Sequence, residues 1–156
     1  MKEPKIVEKE KLNVVGMKVT TDLKNNRIPA LWDEFCPRMK EIKNVKYKNV
    51  AVGVCPYIPM EAFSENTKFD YYAGLIVDNF SKVPSGMVKY GVPAGKYLVF
   101  THRGSLENLN RTYKTAMQWL QTSEHERTEA PELEWYDERF NPEDSASELD
   151  ILIPIK

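Results

Sequence analysis

Residues 96–102 read KYLVFTH, residues 106–121 read LENLNRTYKTAMQWLQ, residues 132–140 read ELEWYDERF and residues 149–155 read LDILIPI. The first, third and fourth segments are rich in the β-branched and aromatic residues typical of strands. The second has apolar residues at helical spacing, and Ser105 just before it is a suitable N-cap. This half of the chain therefore predicts a strand, a helix and two further strands.

The first half repeats this order of elements. It predicts a strand at residues 11–21 (KLNVVGMKVTT), a helix from Ile28 to Ile42, and strands at residues 48–57 (KNVAVGVCPY) and 69–77 (FDYYAGLIV). Pro37 lies inside the helical pattern and should bend or break that helix near Cys36, because proline cannot donate the backbone hydrogen bond. One more strand is predicted at residues 87–92, before a Pro-Ala-Gly turn.

The repetition predicts an α+β fold built from two βαββ units with pseudo-twofold symmetry. Such a pair gives a mostly antiparallel sheet with two helices on one face. The half-repeats are expected at about residues 5–80 and 86–156, within one domain spanning residues 1–156. A ligand cleft is expected along the pseudo-twofold axis, since pockets favour such junctions.

Composition excludes several classes of function. The 22 basic and 23 acidic residues leave a net charge of −1, which argues against direct binding of nucleic acid. The chain has no apolar run long enough for a membrane span and no secretion signal at its start, so a cytoplasmic protein is expected. Cys36 and Cys55 are expected to be small buried side chains. With only two histidines and no ligand spacing, neither a metal nor a cofactor is expected.

The most informative functional residue is Glu134, which lies between Leu133 and Trp135 in a short predicted strand. Burying a carboxylate is costly unless something neutralises it. The position therefore predicts a place where a cation or a proton is expected.

Three segments of the second half, GKYLVFTHRGSLENLNRTYKTAMQWL, PELEWYDERF and SELDILIPIK, resemble the GyrI-like small-molecule-binding domain. That domain also forms the effector-binding part of AraC-type and MerR-type multidrug-responsive activators. The segments VVGMKVTT, IPALWDEF and FDYYAGLIV fit the same family in the first half. The resemblance implies a duplicated βαββ domain whose central cleft binds hydrophobic, often cationic, compounds.

In that family an acidic residue on the penultimate strand meets the positive charge of the ligand, and Glu134 matches it. No DNA-binding segment precedes the domain here, so a stand-alone member is expected. Aromatic side chains should form the walls of the cleft, and Trp119 is preferred over Tyr113, which follows the apolar stripe of its helix. The predicted ligand-binding residues are Glu134, Trp32, Phe35, Tyr72, Trp119 and Tyr136.

Three functions follow from this interpretation, and the first is favoured. It is a cytosolic binding protein for amphipathic, cationic small molecules, in drug or toxin sensing or sequestration. The second is a hydrolase of electrophilic toxins, in which Glu134 activates water and Tyr72 or Tyr136 donates a hydrogen bond. The third is a protein-interaction role, with DNA gyrase or a separate transcription regulator as the partner. Catalysis is not favoured, because the sequence offers no nucleophile constellation.

Overall fold

The computed structural model describes residues 3–59 and 63–156. The strands are β1 (Lys5–Lys9), β2 (Leu12–Thr21), β3 (Ala51–Cys55), β4 (Phe69–Val77), β5 (Val88–Val92), β6 (Gly95–Arg103), β7 (Glu132–Tyr136) and β8 (Glu148–Ile155). The α-helices are α1 (Ile28–Phe35) and α2 (Leu109–Thr122). Short 3₁₀ turns, Cys36–Glu41 after α1 and Leu106–Asn108 before α2, extend both helices. None of the helices in these described ranges is long and apolar enough to cross a membrane.

The eight strands form one antiparallel sheet in the order β1-β6-β8-β7-β3-β4-β2-β5. The order is symmetric about the β7–β3 pair, because β1, β6, β8 and β7 correspond to β5, β2, β4 and β3. A pseudo-twofold axis therefore passes between β7 and β3. The predicted α+β fold with duplicated units is confirmed.

The sheet is strongly curved. Strands β1 and β5 lie at its opposite ends, yet only two residues join β1 to β2, and only two join β5 to β6. Such a connection spans at most about 11 Å, so the two ends must approach each other. The face without helices closes on itself accordingly: its core cluster, which includes Val14, Val92, Tyr97 and Leu133, consists of strand residues from both units.

The other face carries the two helices, each over its own core cluster. Helix α1 covers a cluster that contains Leu31, Phe35 and Tyr71, and α2 covers one that contains Phe100 and Ala116. Strands β3 and β7 are the two central strands of the sheet, and one comes from each unit. The side chains that they present on this face are the natural meeting point of both helices.

Several boundaries differ from the prediction. Strand β1 was not expected, because three of its five residues (KIVEK) are charged and the alternation is short. It pairs with β6, so each unit begins with a strand that joins the sheet of the other. Strands β3 and β7 are shorter than residues 48–57 and 132–140. Helix α1 ends at Phe35, and Pro37 is the second residue of the 3₁₀ turn that follows, a position where its missing backbone N–H is tolerated.

Candidate functional site

Glu134 is buried at the centre of the sheet, with 6% of its surface exposed. It lies on β7 directly opposite Gly53 of β3, the strand pair on the pseudo-twofold axis. A Cβ atom at Gly53 would lie 2.0 Å from the Tyr71 hydroxyl oxygen and 2.9 Å from Oε1 of Glu134. The glycine therefore leaves the space that the carboxylate and the Tyr71 ring occupy.

Three tyrosine hydroxyls donate hydrogen bonds to this carboxylate. Tyr71 of β4 donates to Oε1 at 2.7 Å, and Tyr136 of β7 donates to the same oxygen at 2.8 Å. Tyr113 of α2 donates to Oε2 at 2.8 Å. Hydrogen bonds to an ionised acceptor are among the stronger ones in proteins, so the hydroxyls hold the carboxylate in a fixed orientation. We call Glu134 with these three tyrosines the carboxylate cluster.

Trp32 of α1 connects the first helix to the carboxylate cluster. Its Nε1 donates to the Tyr71 hydroxyl at 3.1 Å, and its ring meets that of Tyr136 edge-on with centroids 5.2 Å apart. The side chain is half-buried. Both helices and both units therefore contribute to one site, with Trp32 between Tyr71 and Tyr136.

The electrostatics of the carboxylate cluster are unusual for a buried acid. Among the described residues, no lysine, arginine or histidine forms an ion pair with Glu134. Burial, and then the charge of Glu134, raises the pKa of Tyr71, Tyr113 and Tyr136 well above the ordinary tyrosine value. The three hydroxyls therefore stay protonated as donors. The negative charge of Glu134 is not balanced by a cationic side chain among the described residues.

The structure places Tyr72 on the face opposite Glu134. Successive residues of a strand point to opposite faces, and Tyr72 packs with the helix-free face, its ring 4.8 Å from that of Tyr90. Its neighbour Tyr71 points to Glu134 instead. Tyr72 therefore lies outside the carboxylate cluster, and its assignment to ligand binding stays a prediction.

Tyr113 rather than Trp119, the preferred candidate, contacts Glu134. The two residues are six positions apart on α2, which places them about 120° apart around the helix. Trp119 packs against Phe100 and stacks with His125, with ring centroids 5.9 Å and 6.2 Å away. Tyr113 was assigned to the apolar stripe, but its hydroxyl reaches past that stripe to Glu134.

Phe35 supports the site from behind. It is fully buried in the core under α1, and its ring meets that of Trp32 edge-on with centroids 6.0 Å apart. Phe35 thus packs against Trp32, and Trp32 rather than Phe35 adjoins the carboxylate cluster. The assignment of Glu134, Trp32 and Tyr136 to ligand binding stays a prediction.

A cavity of about 480 Å³ adjoins the carboxylate cluster. The ring of Tyr136 forms part of its wall, together with Ala51 opposite it on β3 and Leu75 of β4. This volume is within the range of small-molecule sites. Tyr136 therefore lies between the buried carboxylate and this solvent-open cavity, whose lining also includes the cationic side chains of Lys40 and Lys48.

The histidine and the cysteines considered in the sequence analysis lie away from Glu134 or make contacts within the fold. His102 is buried and bridges β6 to α2, with Nδ1 2.6 Å from Thr112 Oγ1 and Nε2 2.9 Å from the Ser105 carbonyl oxygen. Both cysteines are free, and Cys36 is exposed rather than buried as expected. In the part of the chain that the structure describes, no group of three or more side chains is arranged to hold a metal ion.

The duplicated α+β fold, with an eight-stranded antiparallel sheet and two helices, is that of the GyrI-like effector-binding domains. The family model described as "Cass2: Integron-associated effector binding protein" matches residues 5–155. The chain belongs to this family of small-molecule effector-binding proteins.

Individual proteins with similar sequences or structures support this family membership. The chain is 35% identical over 153 residues to the transcriptional regulator BrlR of Pseudomonas aeruginosa, a match covering 97% of this chain and 54% of the regulator. The chain thus spans about half the length of that relative. Among solved structures, SAV2435 bound to tetraphenylphosphonium superposes with a TM-score of 0.75 at 17% identity, covering 99% of this chain and 94% of that one.

Two further structures share the fold. The integron cassette protein VCH_CASS2 of Vibrio cholerae has a TM-score of 0.68 at 20% identity, and the C-terminal domain of EcmrR has 0.70 at 19%. Each match covers 99% of this chain and 97% of the other. At these identities the superpositions establish the fold.

Proposed function

We propose that this protein binds amphipathic organic cations at the carboxylate cluster, with Glu134 as the counter-charge. The observation that carries the proposal is the burial of Glu134 without an ion-pair partner among the described residues. A buried charge that lacks a counter-ion favours any ligand that supplies one.

The chemistry around Glu134 favours a delocalised cation over a compact one. A quaternary or aromatic cation loses less hydration than an ammonium group when it enters an apolar site. The rings of Trp32, Tyr113 and Tyr136 would add cation–π attraction of about 0.5–2 kcal/mol each. The tetraphenylphosphonium bound to the structural neighbour SAV2435 is a ligand of this kind.

Entry of the ligand requires the two half-buried rings, Trp32 and Tyr136, to turn aside. Tyr136 stands between Glu134 and the cavity of about 480 Å³. Rotation of its ring would join that cavity to the carboxylate. The ligand would then take over the contact with Oε1 that the Tyr136 hydroxyl makes in the closed arrangement.

Two ions of matched shape and opposite charge test this function. Tetraphenylphosphonium and tetraphenylborate differ in the sign of their charge and little in size. Isothermal titration calorimetry at pH 7 should give binding of the phosphonium at least about tenfold tighter than that of the borate. Equal affinities would overturn the counter-charge role of Glu134, and no binding of either ion would overturn the proposed function.

Hydrolysis is a weaker proposal. It would require Glu134 to activate water, but both carboxylate oxygens accept hydrogen bonds from tyrosines. Tyr72, one of its two expected hydrogen-bond donors, lies on the opposite face. The likeness to a hydrolase from Listeria innocua has a TM-score of 0.59 at 10% identity and concerns the fold alone.

For the consequence of binding, we favour the control of transcription over inhibition of gyrase. The 35% identical relative is a transcriptional regulator, and the chain spans about half of it. A supercoiling assay with purified gyrase tests the alternative directly. Inhibition at stoichiometric protein would support the gyrase partner, and full supercoiling activity at a large excess of the protein would support the regulatory one.

A further inference from the structure

A second buried carboxylate lies beside the first. Glu132 is two residues before Glu134 on β7 and is 7% exposed, against 6% for Glu134. Residues two apart on a strand point to the same face, with attachment points about 7 Å apart. Glu132 lies opposite Cys55 of β3, as Glu134 lies opposite Gly53. The helix-bearing face of this strand pair therefore carries two acids in one row.

The two acids are neutralised differently. Arg127, from the segment after α2, places Nη2 2.7 Å from Oε2 of Glu132, and the two side chains are only 14% and 10% exposed. The guanidinium also lies over the ring of Tyr57, 5.0 Å from its centroid. Among the described residues, the side chains that donate to the Glu134 carboxylate are tyrosines. Glu132, Arg127 and Glu134 together carry one net negative charge.

Glu132 and Glu134 also interact electrostatically. Burial raises the pKa of Glu132, Arg127 opposes that effect, and the charge of Glu134 adds to it. An ion that approaches Glu134 therefore also meets the field of the Arg127–Glu132 pair. Because the pair is partly dehydrated, this field is weakly screened.

We propose that Arg127 determines the charge selectivity of the site, by neutralising Glu132 so that the cleft accepts one positive charge and rejects two. This inference rests on the proposed function. A monocation satisfies Glu134 completely. A rigid dication aligned along β7 from Glu134 toward Glu132 would bring its second charge next to the Arg127 guanidinium. A buried charge facing a like charge with no counter-ion is strongly disfavoured.

Removal of Arg127 should reverse this preference. Without it, Glu132 and Glu134 are two acids without a cationic partner, at strand positions about 7 Å apart. The two ring nitrogens of a 4,4′-bipyridinium dication are separated by a similar distance. Such a dication would meet both acids at once. Because burial raises the pKa of Glu132, its proton must leave on binding, so the gain should be larger at pH 8 than at pH 6.

Two cations of nearly identical shape provide the test. N,N′-dimethyl-4,4′-bipyridinium carries two charges, and 1-methyl-4-phenylpyridinium carries one. Calorimetric titration of the full chain should give a monocation preference in the wild type. In Arg127→Met the ratio of the two dissociation constants should shift toward the dication by at least about tenfold. A ratio that stays within about twofold of the wild type, in a variant with native circular dichroism, overturns the inference.

Two further variants, Glu132→Gln and the double variant Arg127→Met with Glu132→Gln, form a charge series with Arg127→Met. They keep the test decisive if Arg127→Met fails to fold. Glu132→Gln leaves Arg127 without its partner and the cleft without net charge, so both cations should bind more weakly, the dication most. Arg127→Met with Glu132→Gln removes both charges of the pair, so the site again carries one net negative charge, from Glu134. The double variant should therefore regain the wild-type ratio. The double variant should also fold better than either single variant, because replacing both partners of a buried pair is tolerated far better than removing one. A ratio in the double variant that differs from the wild type as much as that of either single variant overturns the inference.

The outcomes separate this inference from the function on which it rests. If the wild type binds the monocation and the ratio does not follow the charge series, selectivity by Arg127 is wrong and the cation site stands. If neither cation binds the wild type, the proposed function fails and the selectivity fails with it.

Discussion

Gly53 and Glu134 face each other across β3 and β7, and the glycine is required by the carboxylate cluster. The space that a side chain would fill at Gly53 is taken by the Tyr71 hydroxyl and by Oε1 of Glu134. The strand pair on the pseudo-twofold axis is therefore asymmetric: one strand supplies the acid and the other supplies the room for it.

The first prediction concerns Gly53→Ala. Its methyl group would displace the Tyr71 ring, which is fully buried and cannot move outward freely. Overpacking of this kind costs about 1–3 kcal/mol, to be measured by urea unfolding. Gly95→Ala is the matched control, because nothing lies within 4 Å of a Cβ at that strand position. Equal stability of the two variants would contradict the close packing around Glu134.

The second prediction separates Tyr113 from Tyr72. Tyr113→Phe removes a hydrogen bond to a buried carboxylate, which should lower the free energy of unfolding by about 1.5–3 kcal/mol. Tyr72→Phe should change it by less than about 0.5 kcal/mol, because that ring packs on the helix-free face. Chemical denaturation at pH 7 measures both. Equal losses of stability, or a larger loss for Tyr72→Phe, would contradict the hydrogen bond between Tyr113 and Glu134.

Much of the fold could be predicted from the sequence, because its signals are periodic. Apolar spacing and β-branched runs identified both helices and seven of the eight strands, and Pro37 marked the end of α1. Strand β1 was missed, since its charged residues hide the alternation. Its position at the sheet edge makes such a composition tolerable.

The site was predicted less completely, because it depends on which way neighbouring residues point. The sequence singles out Glu134 by its unusual place among aromatic residues, and its role in ligand binding stays a prediction. Tyr71 was passed over for Tyr72, a shift of one residue on a strand that reverses the face. Arg127 carries no local signal at all, since only the folded chain brings it to Glu132.

The third prediction concerns the tyrosine hydroxyls at high pH. The pKa values of Tyr71, Tyr113 and Tyr136 are raised in the folded protein, whereas the unfolded chain ionises its tyrosines near pH 10. The unfolded state therefore holds fewer protons above that pH, and the stability should fall as the pH rises past about 10. Absorbance at 295 nm should show at least three of the eight tyrosines ionising only on unfolding. Ionisation of all eight in the native protein near pH 10 would refute this.

The fourth prediction concerns the Arg127–Glu132 pair in the absence of ligand. Arg127→Met leaves Glu132 buried without a counter-ion, which should cost about 3–5 kcal/mol at pH 7. Loss of the guanidinium raises the pKa of Glu132 further, so the folded variant binds a proton more readily than the unfolded chain. The deficit should therefore shrink as the pH falls from 7 toward about 5.

Urea unfolding of wild type and Arg127→Met at several pH values measures this difference. Lys156→Met is the control, because its ion pair with Glu126 is largely exposed and should contribute little at any pH. A deficit for Arg127→Met that is constant across the same range would mean that Glu132 does not take up the proton.

The measurement that tests the central claim most directly is the affinity of Glu134→Gln for tetraphenylphosphonium. The substitution keeps the shape of the side chain and removes its charge, and Glu138→Gln on the exposed part of the same segment is the control. Calorimetry should give at least about tenfold weaker binding for Glu134→Gln, with Glu138→Gln unchanged. An unchanged affinity in a correctly folded Glu134→Gln variant would contradict the account.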